Sequence, residues 1–399
     1  MSNKVVILGY ARTAFTKASD PMTGRGKGKL AHVTPLNLMV PVINKVVKDS
    51  KIDPKDIETI LTGCVNQEAE QGLNIARMAV LHKDCVLKEN TGGATIDRFC
   101  GSSMHVIADA KNSILAGEGD VILCTGVQSM SRVPMTGWNA MIDGEVYNAH
   151  PAGFLNMGVT AENLARKYNV DRRTQEEFAI MSQRKAANAQ EKGHLKKEIV
   201  PIDGVDADDC VRKDANLSAL SELRPAFEEK GTVTAGTSSP VTDGASAVLL
   251  SSESYAKKNN LPVMAEILSF AGSGCAPEIM GIGPVEASRK ALKRAGLTMK
   301  DIDVVELNEA FAAQSISVLK EMEKQGMKID PEKLNIDGGA IAIGHPLGAS
   351  GARIVGKAAN LLQRTGKRYA LATMCIGGGQ GVAMVIENPN AKKSPAPKP

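Results

Sequence analysis

Short runs of consecutive apolar residues punctuate the chain: VVIL at 5–8, IETILTG at 57–63, VILCTG at 121–126 and ASAVLL at 245–250. DVVELNE at 303–309, YALATM at 369–374 and GVAMVI at 381–386 follow. Their length and apolar character predict buried strands. Amphipathic helical segments alternate with them, the pattern of parallel α/β units. One helix is predicted over 101–116, with Met104, Ile107, Ala108, Ile114 and Leu115 on roughly one face and Gly117 as its stop. Another, over 351–364, carries Ile354, Val355, Ala358, Leu361 and Leu362.

The pattern repeats. KDIETI at 55–60 recurs as KDIDVV at 300–305, and nearly the same spacing superimposes the two helices and the strands that follow them. It also sets Gly348 opposite Cys100, each at the start of its helix. Carried to the last strand, which starts at Gly381, the spacing calls for a partner near 133, but the matching run comes only at Ala245. The stretch 130–241 therefore reads as a loop-rich insertion. The expected organisation is a first α/β unit over 1–129 and 242–264, the insertion 130–241, a second unit over 265–390, and a Pro/Lys-rich tail 391–399 without fixed structure.

Composition narrows the partners. The 399 residues carry 48 basic and 44 acidic side chains, a net charge of +4, which gives no footprint for nucleic acid as the main partner. A polyanionic small molecule remains compatible. Seven cysteines without CxxC pairs argue against a disulfide framework and a zinc ribbon, and for a reducing compartment. No stretch reaches the roughly 18 continuous apolar residues of a membrane span, and the N-terminus has no signal-peptide pattern.

Four stretches carry candidate chemistry. Cys100, in FCGSSM, stands at a predicted helix start, where unpaired amides and the helix dipole lower a thiol pKa. A small buried residue is the commoner explanation of one cysteine. His345 lies in GGAIAIGHPLGASGAR between Gly344 and Pro346, a candidate base for a thiol. Cys375 ends a strand in TMCIGGGQG, where the glycines suit either a phosphate cradle or amides beside a second reactive thiol. Asn308 and Glu309, in ELNEAFAAQ, sit where a strand passes into a helix and need be no more than its cap.

In this order, together with VVILGYARTAF, MGVTAENLA, LRPAF and GTVTAGTSSPVTDGA, these stretches resemble the thiolase family over nearly the whole chain. The resemblance is to its degradative 3-ketoacyl-CoA members, of the bacterial fatty acid oxidation complex type. It implies a thiolase-like α/β fold: two homologous α/β domains in an αβαβα arrangement with a loop domain inserted in the first.

By the same resemblance, Cys100 is the nucleophile that carries the acyl group, His345 activates it, and Cys375 moves the second proton. Asn308 holds a water that forms one oxyanion hole with His345, and the amides of Cys100 and Gly377 form the other. The insertion holds CoA, with Arg212 near the nucleotide and Ala235 and Ser239 along the pantetheine. Met157 and Phe311 face the acyl chain. The basic loop GRGKGK at 24–29 reads as a solvated or interface loop rather than as a phosphate contact.

Two details bear on the substrate. Asn156-Met157-Gly158 stands where many short-chain biosynthetic members have His-Met-Gly, and Cys100-Gly101-Ser102-Ser103-Met104 replaces their Cys-x-Ser-Gly-Leu. Both favour 3-ketoacyl-CoA cleavage over condensation of two acetyl-CoA. A carrier-protein condensing enzyme usually has two active-site histidines and no counterpart of Cys375, and a non-catalytic acyl-CoA-binding subunit needs none of this reactivity. The expectation is a cytoplasmic, bacterial enzyme without metal or redox cofactor, for which CoA is a substrate. A homodimer or homotetramer is expected, with a hydratase/dehydrogenase subunit as a possible partner.

Overall fold

The computed structural model describes residues 4–26 and 28–391. Lys27 of GRGKGK and residues 392–399 of the tail lie outside that range.

The strands follow one another in a mirrored order. In the first half Thr59–Gly63 runs parallel to Val121–Ser129, which pairs antiparallel with Thr242–Ser252, itself antiparallel to Val5–Thr13. In the second, Val304–Leu307 runs parallel to Tyr369–Ile376, then antiparallel pairs lead through Gln380–Glu387 to Ala265–Gly274. The halves meet where Val6 and Ile7 pair with Glu266 and Ala265.

Strand alternation distributes side chains between faces. Val5 and Ile7 point to a central core and Val6 and Leu8 to an outer one. The central core holds two helices side by side, Ser102–Ala116 and Leu347–Thr365. Their Met104, Ile107, Ile354 and Leu362 pack with Ile122 and Val248 of the first half and with Ile267 and Met384 of the second. Helices Pro35–Asp49 and Ile75–Val80 cover the outer face of the first half, and Gly283–Ala295 and Ala312–Lys324 that of the second. Five layers result, helices and strands alternating, the arrangement expected of the resemblance.

The two central helices touch at their starts. Gly351 lies so close that a Cβ there would come within 2.3 Å of the Met104 amide nitrogen. The first half also caps the second: the Ala352 amide donates to Ser103 Oγ at 2.8 Å, and that of Gly348 to Gln128 Oε1 at 3.2 Å.

Between Ser129 and Thr242 the chain leaves this framework, forming helices Met157–Lys167 and Arg172–Glu191 among shorter ones. It rejoins briefly at Ile199–Val200, which pairs with Arg12 and Thr13. A buried chain of charges fastens the excursion. Arg12 bonds Glu198 (2.9 Å) and Asp208 (2.6 Å), and Lys357 bridges Glu198 (2.8 Å) and Asp337 (3.0 Å).

Three elements differ from the sequence-based expectation. Ala265–Gly274 is a strand although Glu266, Ser269 and Ser273 interrupt its apolar run; its alternate positions are partly exposed. Gly92–Ile96 is an edge strand built from GGATI, which carries little apolar signal. Asn308 and Glu309 do not start a helix: the helix begins at Ala312 with Phe311 as its cap, freeing the two polar side chains to turn inward.

Candidate active site

Strand ends deliver most of the site. Tyr369–Ile376 carries Cys375 to its end, opposite Gly381, and the turn Gly377–Gly379 follows. Gly379 adopts φ +86°, and a Cβ there would strike the Cys275 carbonyl at 2.2 Å, so only glycine fits. The turn sets Gly377 near Cys100, and the Gly377 amide and that of Cys100 itself both act to lower the thiol pKa. Phe99, just before the nucleophile candidate, is held at φ +46°, strained for a bulky residue. Ser102 Oγ secures the bend by donating to the Phe99 carbonyl at 2.6 Å.

Cys100 packs against Val65, Met130 and Leu347. Burial pushes its thiol up to about 11, and the two amides offset only part of that. The sequence-based expectation of a lowered thiol pKa is therefore corrected: apolar surroundings outweigh the helix start, and the resting group is a thiol. Burial raises Cys375 too, and the neighbouring Cys100 raises it further.

Val304–Leu307 leads into Asn308, whose amide donates to the Thr373 carbonyl at 3.0 Å. The Asn308 side chain turns toward His345, with Nδ2 3.4 Å from Nε2. His345 follows Gly344, whose φ of +116° no β-branched or bulky residue adopts readily. Its main-chain amide donates to Thr242 Oγ1 at 2.9 Å, and its Nδ1 lies 2.5 Å from Ser350 Oγ. Burial, aided by the Arg353 charge, brings the imidazole down to about 3, so the ring is neutral at physiological pH. Glu309 serves differently: it accepts from Ser182 Oγ (2.6 Å), Asn335 Nδ2 (2.7 Å) and the Ile341 amide (3.2 Å), bracing the segment before His345.

Around Cys375 lies an apolar cluster of Met157, Phe227, Met280, Phe311 and small alanines. Phe227 meets Phe311 edge to face, ring centres 5.7 Å apart. A groove of about 1040 Å³ opens beyond, lined by Arg212, Ala235 and Ser239 and, at its inner end, by Phe227 and Met130. Phe227 thus joins groove to Cys375, and Met130 joins groove to Cys100. Arg25 is exposed and borders the same groove.

Each candidate thus falls on one of three places: the two cysteines with Gly377, the Asn308–His345 pair, or the groove and its apolar inner end. Sequence reasoning missed Phe227, Met280, Ser350, Thr242 and Gln128. Gln128 left a signal, a large amide near the end of the mainly apolar strand VILCTGVQS. Among the described residues no group of three or more His, Cys, Asp or Glu could hold a metal ion.

Comparison with known proteins agrees with this architecture. The family model described as "Thiolase, N-terminal domain" matches residues 5–254, and "Thiolase, C-terminal domain" matches 261–388. A 3-ketoacyl-CoA thiolase of Vibrio cholerae serotype O1 is 44% identical, covering 97% of this chain and 100% of the relative. One from Marinobacter nauticus is 44% identical, covering 96% and 98%. The crystal structure of human mitochondrial 3-ketoacyl-CoA thiolase in complex with CoA matches with a TM-score of 0.87, 36% identity and coverage of 97% and 98%. Bacillus anthracis acetyl-CoA acetyltransferase gives 0.87, with 34% identity and coverage of 97% and 99%. With both family halves matched in order along nearly its full length, the chain belongs to the thiolase family.

Proposed function

We propose that this acyltransferase cleaves 3-ketoacyl-CoA with CoA, releasing acetyl-CoA and an acyl-CoA shortened by two carbons, in fatty acid β-oxidation. The observation that carries the reading is the convergence of Cys100 and Cys375 at the Gly377 turn, each thiol pKa raised by burial and that of Cys375 further by Cys100.

As Cys100 attacks the 3-keto carbon, neutral His345 takes the thiol proton, and the amides of Cys100 and Gly377 receive the developing oxyanion. The bond between C2 and C3 then breaks. The acyl group stays on Cys100 as a thioester, and the electron pair leaves with the acetyl-CoA enolate. His345, now carrying a proton on Nε2, and a water held by Asn308 support the enolate oxygen. Cys375 gives its proton to the enolate carbon, then recovers one from the thiol of incoming CoA. That thiolate attacks the thioester, and the departing Cys100 sulfur regains its proton from His345. Two half-reactions sharing one covalent intermediate give ping-pong kinetics. No step calls on a metal or redox group.

Arg212 lies at the nucleotide end of the groove, Ala235 and Ser239 beside the pantetheine, and Met157 and Phe311 against the acyl chain; their places along the groove and its inner end support this. The segment 130–241 is the CoA-holding part. Condensation of two acetyl-CoA is the runner-up, since the same groups work in reverse and relatives of both names share the fold equally well. Asn156 favours cleavage: its side chain caps the helix at Met157 by accepting from the Gly158 amide at 2.9 Å, where biosynthetic members place a histidine.

A bacterial cytosol is the proposed location, supported by seven free thiols and by relatives from bacteria. A homodimer or homotetramer is proposed, supported by the outer edge of Gly92–Ile96, which among the described residues pairs on its inner side alone. A hydratase/dehydrogenase subunit is proposed as a further partner.

Incubation with a 3-ketoacyl-CoA is expected to leave an acyl mass on Cys100 and release acetyl-CoA. Unchanged thiolysis after Cys100→Ala would sink the mechanism. A cleavage assay across chain lengths, run against acetyl-CoA condensation, separates the two readings.

A further inference from the structure

His345 is held on every polar edge, and the partners fix where its proton sits. Ser350 Oγ lies 2.5 Å from Nδ1 and 3.0 Å from the Pro346 carbonyl oxygen. A serine hydroxyl has one proton, and a carbonyl oxygen can only accept. Ser350 therefore donates to Pro346 and accepts from Nδ1–H. On the far side of the ring, Asn308 turns its Nδ2, a donor, toward Nε2. Two separate neighbours thus lead to one tautomer, with the proton on Nδ1 and the lone pair on Nε2.

We propose that Ser350 is a positioning residue that locks His345 in the Nδ1–H tautomer, so that the Nε2 lone pair is always the one offered to the Cys100 proton. The inference rests on the reading of His345 as the base.

The choice of a hydroxyl has a chemical consequence. A carboxylate on Nδ1 would orient the ring and also stabilise the imidazolium. Ser350 orients it without adding negative charge. The charged group acting on the ring is Arg353, which opposes protonation, and the ring's hydrogen-bond partners, Asn308 and Ser350, are uncharged. His345 consequently binds the proton weakly and returns it readily to the Cys100 sulfur when the thioester is cleaved. Ser350 sits in the first turn of the helix Leu347–Thr365 and is fully buried, so solvent does not compete for the bond.

The test is a nitrogen NMR spectrum of the full chain labelled with 15N-histidine, the His345 signal assigned by its loss in His345→Gln. The expected result is a neutral ring protonated on Nδ1 near pH 7. A ring protonated on Nε2 overturns the proposal, and this measurement does not depend on any Ser350 variant folding. In Ser350→Ala the Nε2–H form is expected to appear. With it kcat should fall on the order of 10- to 100-fold, the usual cost of losing an orienting partner, while KM for CoA stays within about twofold. Undiminished kcat in Ser350→Ala also overturns the proposal. Full turnover in His345→Ala would instead remove the reading of His345 as base, whatever the tautomer, so the two failures are told apart.

Discussion

Asn308 turns its amide nitrogen toward His345, 3.4 Å from Nε2, while its Oδ1 is buried with no hydrogen-bond partner among the described residues. An orphaned acceptor in a polar site is costly unless a ligand or water meets it. Asn308→Ala is therefore expected to lower kcat by about 10²- to 10³-fold, as loss of an oxyanion-hole partner does. Asn308→Asp should do more harm, because a carboxylate beside Nε2 draws the proton to that nitrogen. Steady-state kinetics of both variants check the order.

Alkylation reads the resting state of Cys100. With its thiol at about 11, the thiolate fraction rises about tenfold per pH unit between pH 7 and 9. The rate of Cys100 modification by iodoacetamide, followed by mass spectrometry, should climb at that slope without levelling. A plateau near neutrality would mean a preformed thiolate.

The seat of Phe227 gives a handle on substrate choice. A Cβ on Gly158 would lie 2.1 Å from the Phe227 ring, which in turn packs edge-on against Phe311. Gly158→Ala should push both rings toward Cys375, cost about 1–3 kcal/mol of stability, and depress kcat/KM most for long acyl chains. Phe227→Ala, which opens the same space, should shift preference toward longer chains. A chain-length series on both variants tests the opposed directions.

Lys357 is fully buried between Glu198 and Asp337. Removing one partner of such a group strands the others in a medium that solvates them poorly. Lys357→Met should cost about 3–5 kcal/mol in chemical denaturation. The Asp337 carboxylate, held near 2 by Arg364 and Lys357 despite burial, contributes stability above its unfolded value of about 3.8. That contribution is lost as pH falls through 3.8 toward 2, and Lys357→Met should weaken this acid limb.

The framework was legible because its strands are buried on both faces and keep an apolar run that few surface residues interrupt. Ala265–Gly274 escaped for the opposite reason: at the join between halves, Glu266 and Phe270 face partly outward and break the run. Cys100, Asn308, His345 and Cys375 stood out through their local company of glycines and small residues. Phe227 and Ser350 lie inside stretches the resemblance used, LRPAF and GHPLGASGAR, but their contacts, like those of Met280, are made by the fold and are not written in the neighbouring residues. The direction of the Cys100 shift also lay beyond the sequence, since it depends on Val65, Met130 and Leu347 arriving from three separate segments.

The mirrored strand order leaves each half with an equivalent point at the start of its central helix, yet only one bears a nucleophile. Gly348 occupies the counterpart of Cys100, and there a single added carbon would meet the Val127 carbonyl at 2.5 Å and that of Gly63 at 2.8 Å. Duplication thus ended in a division of labour. On the proposed mechanism one copy keeps the acceptor of the acyl group, the other supplies Asn308, His345 and Cys375, and the bare glycine closes the seam between them. On that mechanism a chain with two similar halves has a single reaction centre, and a fragment carrying either half alone is expected not to turn over.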